Sequence, residues 1–285
     1  MRISLFILVL FSVAFQNLSA QEKLYLGISY TFHSKTLKED RIYSVSLPES
    51  YDEDSAANKT YPLLIVLDGN THFRPLSGMV QYLSSASTRN LRIPEMIVVG
   101  IENVNRRRDF TPDKVITTRP NDTGGGAVFL SFLENELIPE LDQKFRTNAN
   151  RILFGHSLGG LLAAHAYMQE ESIFNGFIAV DPSFGTWDSE TMDAKIEQVT
   201  PNSFDRFIYI ATANWGKRNI RNRDRHVRWF ESLNQKCEGP LPAKLEYFED
   251  ESHSSISLIA FYNGITALFE QGGIYLNTIH KISEE

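Results

Sequence analysis

Short apolar runs alternate with longer amphipathic stretches along most of this chain. A short apolar run bounded by turn residues is typical of a buried strand, and apolar residues spaced three or four apart are typical of a helix. The continuous run Tyr61–Leu67 predicts a central strand covered on both faces. The other predicted core strands are Glu95–Ile101, Ile152–Phe154, Phe177–Val180, Phe207–Ala211 and Leu245–Phe248. The predicted helices are Leu76–Ser87, Ala127–Phe145 with a break at Pro139, Ser189–Gln198, Asp224–Gln235 and Leu258–Phe269.

The two earliest segments have a different pattern. Leu24–Phe32 and Lys38–Leu47 alternate apolar and polar residues, as antiparallel strands at the edge of a sheet do. Later strands alternate with helices, which predicts an α/β fold with a doubly wound, mostly parallel sheet. The long polar segment Asn103–Gly126 is expected to be a functional or mobile loop, and it could close as a lid.

The first twenty residues have the pattern of a signal peptide. Arg2 precedes the apolar segment Ile3–Phe15, and small residues at Leu18–Ala20 form a cleavage site before Gln21. We expect residues 1–20 to be removed and residues 21–285 to form a single domain that is periplasmic or secreted. The apolar segment is too short for a membrane span, so no membrane insertion is expected after cleavage.

Composition narrows the classes of partner. The 285 residues carry a net charge of −7, which argues against nucleic acid or anionic membrane as a partner. A single cysteine, Cys237, rules out an internal disulfide. No spacing of Cys, His and carboxylate residues predicts a metal site, and no cofactor is expected. The oligomeric state is left open.

The segment Gly155-His156-Ser157-Leu158-Gly159 joins a predicted strand to a predicted helix. Gly-x-Ser-x-Gly in this setting is the nucleophile-elbow pattern. The sharp turn presents the serine hydroxyl above the sheet and directs the Leu158 N–H toward a developing oxyanion. We therefore predict Ser157 as a catalytic nucleophile.

A nucleophilic serine needs a general base later in the chain. His253 follows the last predicted strand, where the C-terminal edge of the sheet would place it beside Ser157. His165 lies within the helix after the elbow and is expected to be structural. His226 lies near the start of a predicted helix beside arginines and is expected to be solvated.

The acid that would hold this histidine is less well determined by the sequence. Asp224 is the first carboxylate after Phe207–Ala211 and is the favoured residue, although it is also a helix N-cap candidate. Glu251 is the main rival. Asp181 follows one strand earlier and is expected to stabilise its own turn. A Ser-His dyad without a close carboxylate also stays open.

A second oxyanion donor is expected from the turn after Tyr61–Leu67, where Gly69 and Asn70 offer N–H groups. The expected substrate-binding residues come from predicted rim loops and are Arg106, Arg108, Trp187 and Trp215. For the two arginines the alternative is ion pairing with Asp109, Asp113 or Asp122.

Several segments together resemble the putative-esterase family of α/β-hydrolases, which includes esterase D, feruloyl esterases and siderophore esterases of the ferric-enterobactin and salmochelin type. They are Tyr61–Gly69, Arg106–Pro112, Gly125–Pro139, Gly155–Gly160, Asp181–Phe184 and Glu249–His253. The resemblance implies an α/β-hydrolase fold, with Ser157 as nucleophile, His253 as base and an acid at a position like Asp224. Ser254 stands where relatives often have glycine.

These observations predict a serine ester hydrolase that forms an acyl-enzyme. A siderophore ester or a feruloyl or carbohydrate ester is the expected substrate. Two alternatives remain: an acyltransferase that uses the same Ser-His site, and a hydrolase-fold protein that only binds its ligand.

Overall fold

The computed structural model describes residues 25–271, apart from 88, 90, 116–121, 188, 201–205, 217–219 and 238. The segment 1–20 that was predicted as a signal peptide lies outside the described residues. Eight strands form one sheet: β1 (Ile28–Ser34), β2 (Glu39–Ser46), β3 (Tyr61–Val66), β4 (Ile97–Ile101), β5 (Thr147–His156), β6 (Gly176–Val180), β7 (Phe207–Ala213) and β8 (Ala243–Phe248). The helices are α1 (Gly69–Ser84), α2 (Arg106–Phe110), α3 (Gly126–Phe132), α4 (Ile138–Lys144), α5 (Leu158–Tyr167), α6 (Ser189–Glu197), α7 (Ile220–Lys236) and α8 (Ser257–Gln271).

The strand order is β1-β2-β4-β3-β5-β6-β7-β8. β1 pairs with β2 and β2 with β4 in antiparallel register, and the remaining pairs are parallel. This arrangement confirms the predicted doubly wound, mostly parallel sheet with antiparallel strands at its N-terminal edge.

Two apolar cores cover the faces of the sheet. Along β3, Leu63 and Ile65 face one core, whereas Leu64 and Val66 face the other. Residues of α1 and α8 complete the second core, and residues of α3, α4, α5 and α7 contribute to the first. Because successive side chains of a strand point to opposite faces, a strand buried on both faces has to be apolar throughout.

Several helix boundaries differ from the prediction, and α7 begins at Ile220 rather than at Asp224. α1 begins at Gly69 rather than Leu76, so that Pro75 lies inside the helix. The segment Asn103–Gly126 contains the short helix α2. α3 and α4 are joined without a break by a π-helical turn at Leu133–Leu137. Pro139 is the second residue of α4, directly after this turn, so the predicted break is replaced by a local change of helix type. Among the described helices, none combines the length and apolar character required to span a bilayer.

The parallel strands bring several loops to one edge of the sheet. Ser157 follows β5, Asp181 follows β6 and His253 follows β8. Asp68 and Gly69 follow β3 at the same edge, and Trp215 follows β7. The C-terminal ends of parallel strands in an open α/β sheet are where ligands bind.

Candidate active site

Ser157 lies in a strained backbone conformation between β5 and α5. Its φ and ψ angles are 61° and −116°, a region that non-glycine residues rarely adopt. The turn is tight enough that a Cβ on Gly155 would lie 2.1 Å from the carbonyl oxygen of Gly159. Glycine is therefore required at position 155, and such strain is characteristic of functional turns.

Ser157 is fixed by its backbone and by one hydroxyl partner. Its N–H donates to the carbonyl of Val180 at 2.9 Å, and its carbonyl accepts from the N–H of Ser183 at 3.0 Å. Its Oγ lies 3.0 Å from Oγ of Ser183. Ser183 was not predicted as a site residue. Its hydroxyl is the side-chain partner of the proposed nucleophile.

His253 forms a close pair with Asp181. Nδ1 of the imidazole lies 2.5 Å from Oδ2 of the carboxylate, and Asp181 is fully buried. An acceptor at Nδ1 fixes the orientation of the ring and leaves Nε2 for a second partner.

Asp181 is held by three N–H groups. Oδ2 accepts from the indole Nε1 of Trp215 at 2.6 Å as well as from His253, and Oδ1 accepts from the N–H of Ala213 at 3.2 Å. Burial alone would raise the pKa of this carboxyl. The hydrogen bonds from His253, Trp215 and Ala213 outweigh burial and hold the pKa below its usual value, so the carboxylate is ionised at neutral pH.

His156 connects the elbow to the loop of His253. Its Nε2 donates to the carbonyl oxygen of His253 at 2.9 Å, and the two ring centroids are 4.5 Å apart. Burial, together with the neighbouring charges of His253 and His72, lowers the pKa of His156 to about 4. Because Ser157 directly follows His156, this hydrogen bond holds the loop of His253 next to the elbow.

His226 supports the turn that carries Asp181 and Ser183. Its Nε2 donates to the carbonyl of Pro182 at 2.7 Å, and Nδ1 accepts from the hydroxyl of Thr212 at 2.8 Å. The residue is completely buried, and burial lowers its pKa. The expectation of a solvated His226 was therefore wrong, because α7 begins earlier than predicted and turns this residue inward.

The structure does not bring Asp224 to His253. Asp224 is the fifth residue of α7 and is exposed, beside a surface cavity that it lines with Met192, Arg221, Arg225 and Arg228. Asp224 was predicted to be the acid and a helix N-cap candidate. Both predictions were wrong, because the residue lies inside α7 and Asp181 is the carboxylate bound to His253. The carboxylate that contacts the imidazole follows β6, one strand earlier than expected. For Glu251, the rival acid, the contact in this region is made by the backbone: its carbonyl accepts from the N–H of Asn214 at 2.8 Å.

The predicted oxyanion donors lie at two helix starts. Gly69 and Asn70 are the first residues of α1, and Leu158 is the first residue of α5. N–H groups in the first turn of a helix have no partner within that helix, and they are therefore available to an anion. A Cβ on Gly69 would lie 2.5 Å from the backbone of Gly100, so glycine is needed for this close packing.

Arg106 lies at the site, but its guanidinium is occupied by protein groups. Nε and Nη2 donate to the two carboxylate oxygens of Asp68 at 2.5 and 2.9 Å, and Nη2 also lies 3.2 Å from the carbonyl of His156. Asn103 donates to the same carboxylate at 2.6 Å. Arg106 thereby ties the turn after β3 to the elbow, and direct contact with substrate stays a prediction for this residue.

Two other predicted substrate residues are placed elsewhere. Arg108 donates to Asp109 at 2.7 Å and to Glu39 at 2.5 Å, which matches the ion-pair alternative rather than substrate binding. Trp187 is only 2% exposed, and its Nε1 donates to Asp113 at 2.8 Å. Both side chains satisfy buried or partly buried carboxylates, so neither offers its polar atoms to a ligand. Trp215, by contrast, lies beside His253, with ring centroids 4.5 Å apart.

Residues 34–236 match a protein family described as "Putative esterase". The chain is 31% identical over 151 residues to the uncharacterized protein YbbA of Bacillus subtilis, covering 51% of this chain and 58% of that protein. It is 29% identical over 160 residues to the ferri-bacillibactin esterase BesA of the same organism, covering 51% and 55%. The chain therefore spans a little over half the length of these curated relatives.

Among solved structures, the fold is similar to that of an IroE-like serine hydrolase from Shewanella oneidensis. The TM-score is 0.75 at 30% identity, over 86% of this chain and 80% of the other. The family match covers well over half of the chain and includes the elbow and the Asp181 turn. The chain belongs to this esterase family of the α/β-hydrolase kind.

Proposed function

We propose that this protein is a carboxylic ester hydrolase that acts through an acyl-enzyme on Ser157. The observation that carries the proposal is the buried Asp181–His253 pair beside the strained elbow that holds Ser157. A histidine whose Nδ1 is bound by an ionised carboxylate can accept a proton at Nε2 and stabilise the resulting imidazolium.

In the proposed reaction, the Ser157 hydroxyl turns from Ser183 toward Nε2 of His253 and attacks the ester carbonyl. His253 takes the hydroxyl proton, and the tetrahedral oxyanion accepts hydrogen bonds from the N–H of Leu158 and from Gly69 or Asn70. His253 then protonates the departing alcohol. Water attacks the acyl-enzyme in the same way and releases the acid and free Ser157. The catalytic groups in this scheme are side chains and backbone N–H groups of the protein, and water is the second reactant.

For the natural substrate we propose an ester of siderophore type. The support is the similarity to BesA, which is named a ferri-bacillibactin esterase, and to a siderophore triacetylfusarinine C esterase of Aspergillus fumigatus. The latter is 28% identical over 158 residues, covering 53% of each chain. Feruloyl and carbohydrate esters are the comparison substrates in the test.

The test combines turnover with covalent labelling. Wild-type protein should release p-nitrophenol from p-nitrophenyl acetate and butyrate, and a fluorophosphonate probe should label Ser157. Ser157→Ala should abolish labelling, and both Ser157→Ala and His253→Ala should lower kcat by at least about a thousandfold. Turnover of a catechol or hydroxamate siderophore ester should exceed that of feruloyl esters in kcat/KM. A wild-type protein that neither turns over any ester nor reacts with the probe would contradict the proposal.

We also propose that the protein is exported and processed before Gln21. The support is the basic, apolar and small-residue order of residues 1–20. The test is expression in a bacterial host followed by cell fractionation and N-terminal sequencing. A mature chain that begins at Gln21 outside the cytoplasm is expected, and a cytoplasmic chain that retains residues 1–20 would overturn the proposal.

A further inference from the structure

Trp215 contacts both members of the Asp181–His253 pair. Its Nε1 lies 2.6 Å from Oδ2 of Asp181, and its ring centroid lies 4.5 Å from that of His253. The side chain is 41% exposed, an unusual position for a tryptophan whose polar atom bonds a fully buried carboxylate. It therefore extends from the surface of the site to its buried acid.

The indole and the imidazole share one oxygen of Asp181. Oδ2 accepts both from Nε1 of Trp215 and from Nδ1 of His253, while Oδ1 accepts from the N–H of Ala213. Two donors on one oxygen and a third on the other fix the plane of the carboxylate. A buried carboxylate held in this way presents one lone pair to His253 in a fixed direction.

The imidazole is enclosed by two rings. Trp215 lies 4.5 Å from it at an interplanar angle of 50°, and His156 lies 4.5 Å from it at 36°. The loops that carry Trp215 and His253 are also joined, because the N–H of Asn214 donates to the carbonyl of Glu251 and its side-chain amide donates to the carbonyl of Glu249, both at 2.8 Å. Rotation of the ring away from Ser157 would have to displace one of these neighbours.

We infer that Trp215 is a positioning residue for the acid–base pair, holding the Asp181 carboxylate through its N–H and the His253 ring through its face. This inference rests on the proposed function, in which His253 acts as the base. It differs from the role expected from the sequence, in which Trp215 binds substrate and would act as a surface on which the substrate stacks. The two roles predict different kinetic changes.

The kinetic test uses two variants of Trp215 and a matched control. Trp215→Phe keeps a ring beside His253 but removes the N–H, and we expect kcat to fall by about three- to tenfold with KM nearly unchanged. Trp215→Ala also removes the ring, and we expect kcat to fall about 100-fold. The control, Trp187→Phe, removes an indole N–H from a different carboxylate, Asp113, and is expected to leave kcat and the pH profile unchanged.

The pH dependence provides a readout that a stacking surface would not change. In Trp215→Phe the shared oxygen loses one donor, so more of its negative charge is available to the imidazolium. The acid limb of the kcat/KM profile should then move to higher pH. The titratable groups that face His253 are Asp181 from the β6 turn, His156 from β5 and His226 from α7, and none of them is altered by this substitution.

A spectroscopic measurement separates failure of the inference from failure of the proposed function. The Nδ1 proton of a histidine bound to a buried carboxylate gives a low-field proton resonance, which His253→Gln would assign. We expect it to shift in Trp215→Phe, to be lost by solvent exchange in Trp215→Ala, and to be unchanged in Trp187→Phe. An unchanged resonance in both Trp215 variants would overturn the inference whether or not the wild type hydrolyses esters. In an active enzyme, a rise in KM alone would also overturn it.

Discussion

Nδ1 of His253 lies 2.5 Å from Oδ2 of Asp181, although 72 residues separate the two in the chain. The aspartate follows β6 and the histidine follows β8, so β7 lies between their strands. Asp181 has a φ angle of 40°, and its N–H donates to the carbonyl of Ala211, two residues before the end of β7. The left-handed turn directs the carboxylate toward β7 and past it to the histidine loop.

The first prediction concerns the identity of the acid. Asp181→Asn should lower kcat by about a thousand- to ten-thousandfold, because an amide cannot stabilise the imidazolium and can favour the wrong tautomer. Asp224→Asn, which exchanges the same groups on the exposed face of α7, should change kcat by less than about twofold. The measurement is turnover of p-nitrophenyl butyrate by variants whose melting temperatures have been checked. A larger loss in Asp224→Asn would assign the acid to α7 after all.

The sequence identifies the strands, the elbow and the loop of His253, because each follows from local hydrophobic patterns and local turn chemistry. The acid cannot be identified in this way. Asp181 and Asp224 both follow predicted strands, and the choice between them depends on where α7 begins and on the direction of a left-handed turn. Both features depend on tertiary contacts, such as the burial of His226 against Pro182.

The arginines show the same limitation. Sequence proximity suggested carboxylates within Asn103–Gly126 as partners. Arg106 instead pairs with Asp68, 38 residues earlier, and Arg108 reaches Glu39 on β2 as well as Asp109. Long guanidinium side chains find partners wherever the sheet brings a carboxylate close. The partner of each arginine therefore depends on which strands are neighbours in the sheet. Local sequence patterns do not specify the order of the strands.

A second prediction tests the pair between Arg106 and Asp68. Arg106→Gln leaves the nearly buried carboxylate of Asp68 with Asn103 as its remaining side-chain donor. Because Arg106 is about one third exposed, at 34%, water can replace part of the lost interaction. The free energy of unfolding should fall by about 1–3 kcal/mol. Urea unfolding of Arg106→Gln, Asp68→Asn and the double variant provides the measurement.

The double variant decides whether the loss comes from an unpaired charge. If it does, Asp68→Asn should restore part of the stability lost in Arg106→Gln, giving a coupling energy between the two positions. Purely additive losses would show that the two side chains act independently. Activity should fall in all three variants, since the pair joins the turn of Gly69 to the carbonyl of His156.

A third prediction concerns the glycines around the elbow. An alanine at position 155 would place its Cβ 2.1 Å from the carbonyl oxygen of Gly159, and backbone atoms cannot yield as a flexible side chain can. Gly155→Ala should therefore destabilise the fold by more than about 3 kcal/mol. The control is Gly78→Ala within α1, where a Cβ would have no atom within 4 Å. That substitution should stabilise the protein by up to about 1 kcal/mol, because glycine is a poor helix former. Similar melting temperatures for the two variants would contradict the close approach seen at the elbow.

The last prediction concerns pH and stability. Burial lowers the pKa of His156 and of His165 to about 4 in each case, and it also lowers the pKa values of His72 and His226. An unfolded histidine has a pKa of about 6.5, so the unfolded state binds more protons than the folded state below that pH. The stability contributed by the neutral histidines is complete above pH 6.5 and is lost as the pH falls toward 4. With pKa values of about 4, His156 and His165 can each account for up to about 2 kcal/mol between pH 6.5 and 5.

Urea unfolding at pH 7, 6 and 5 measures this loss, because the carboxylates titrate mainly below that interval. His165→Gln should reduce the slope of stability against pH by up to one proton. Its side chain lies on α5, and in the described part of the chain its imidazole has a hydrogen bond only with the side-chain amide of Gln169. Gly78→Ala, which changes no titratable group and adds a Cβ where nothing lies within 4 Å, is the control, and it should leave the slope unchanged. A wild-type stability that stays constant from pH 7 to 5 would mean that the buried histidines take up protons in the folded state. The neutral ring assigned to His156, and with it the hydrogen-bonded link between the elbow and the loop of His253, would then need to be reconsidered.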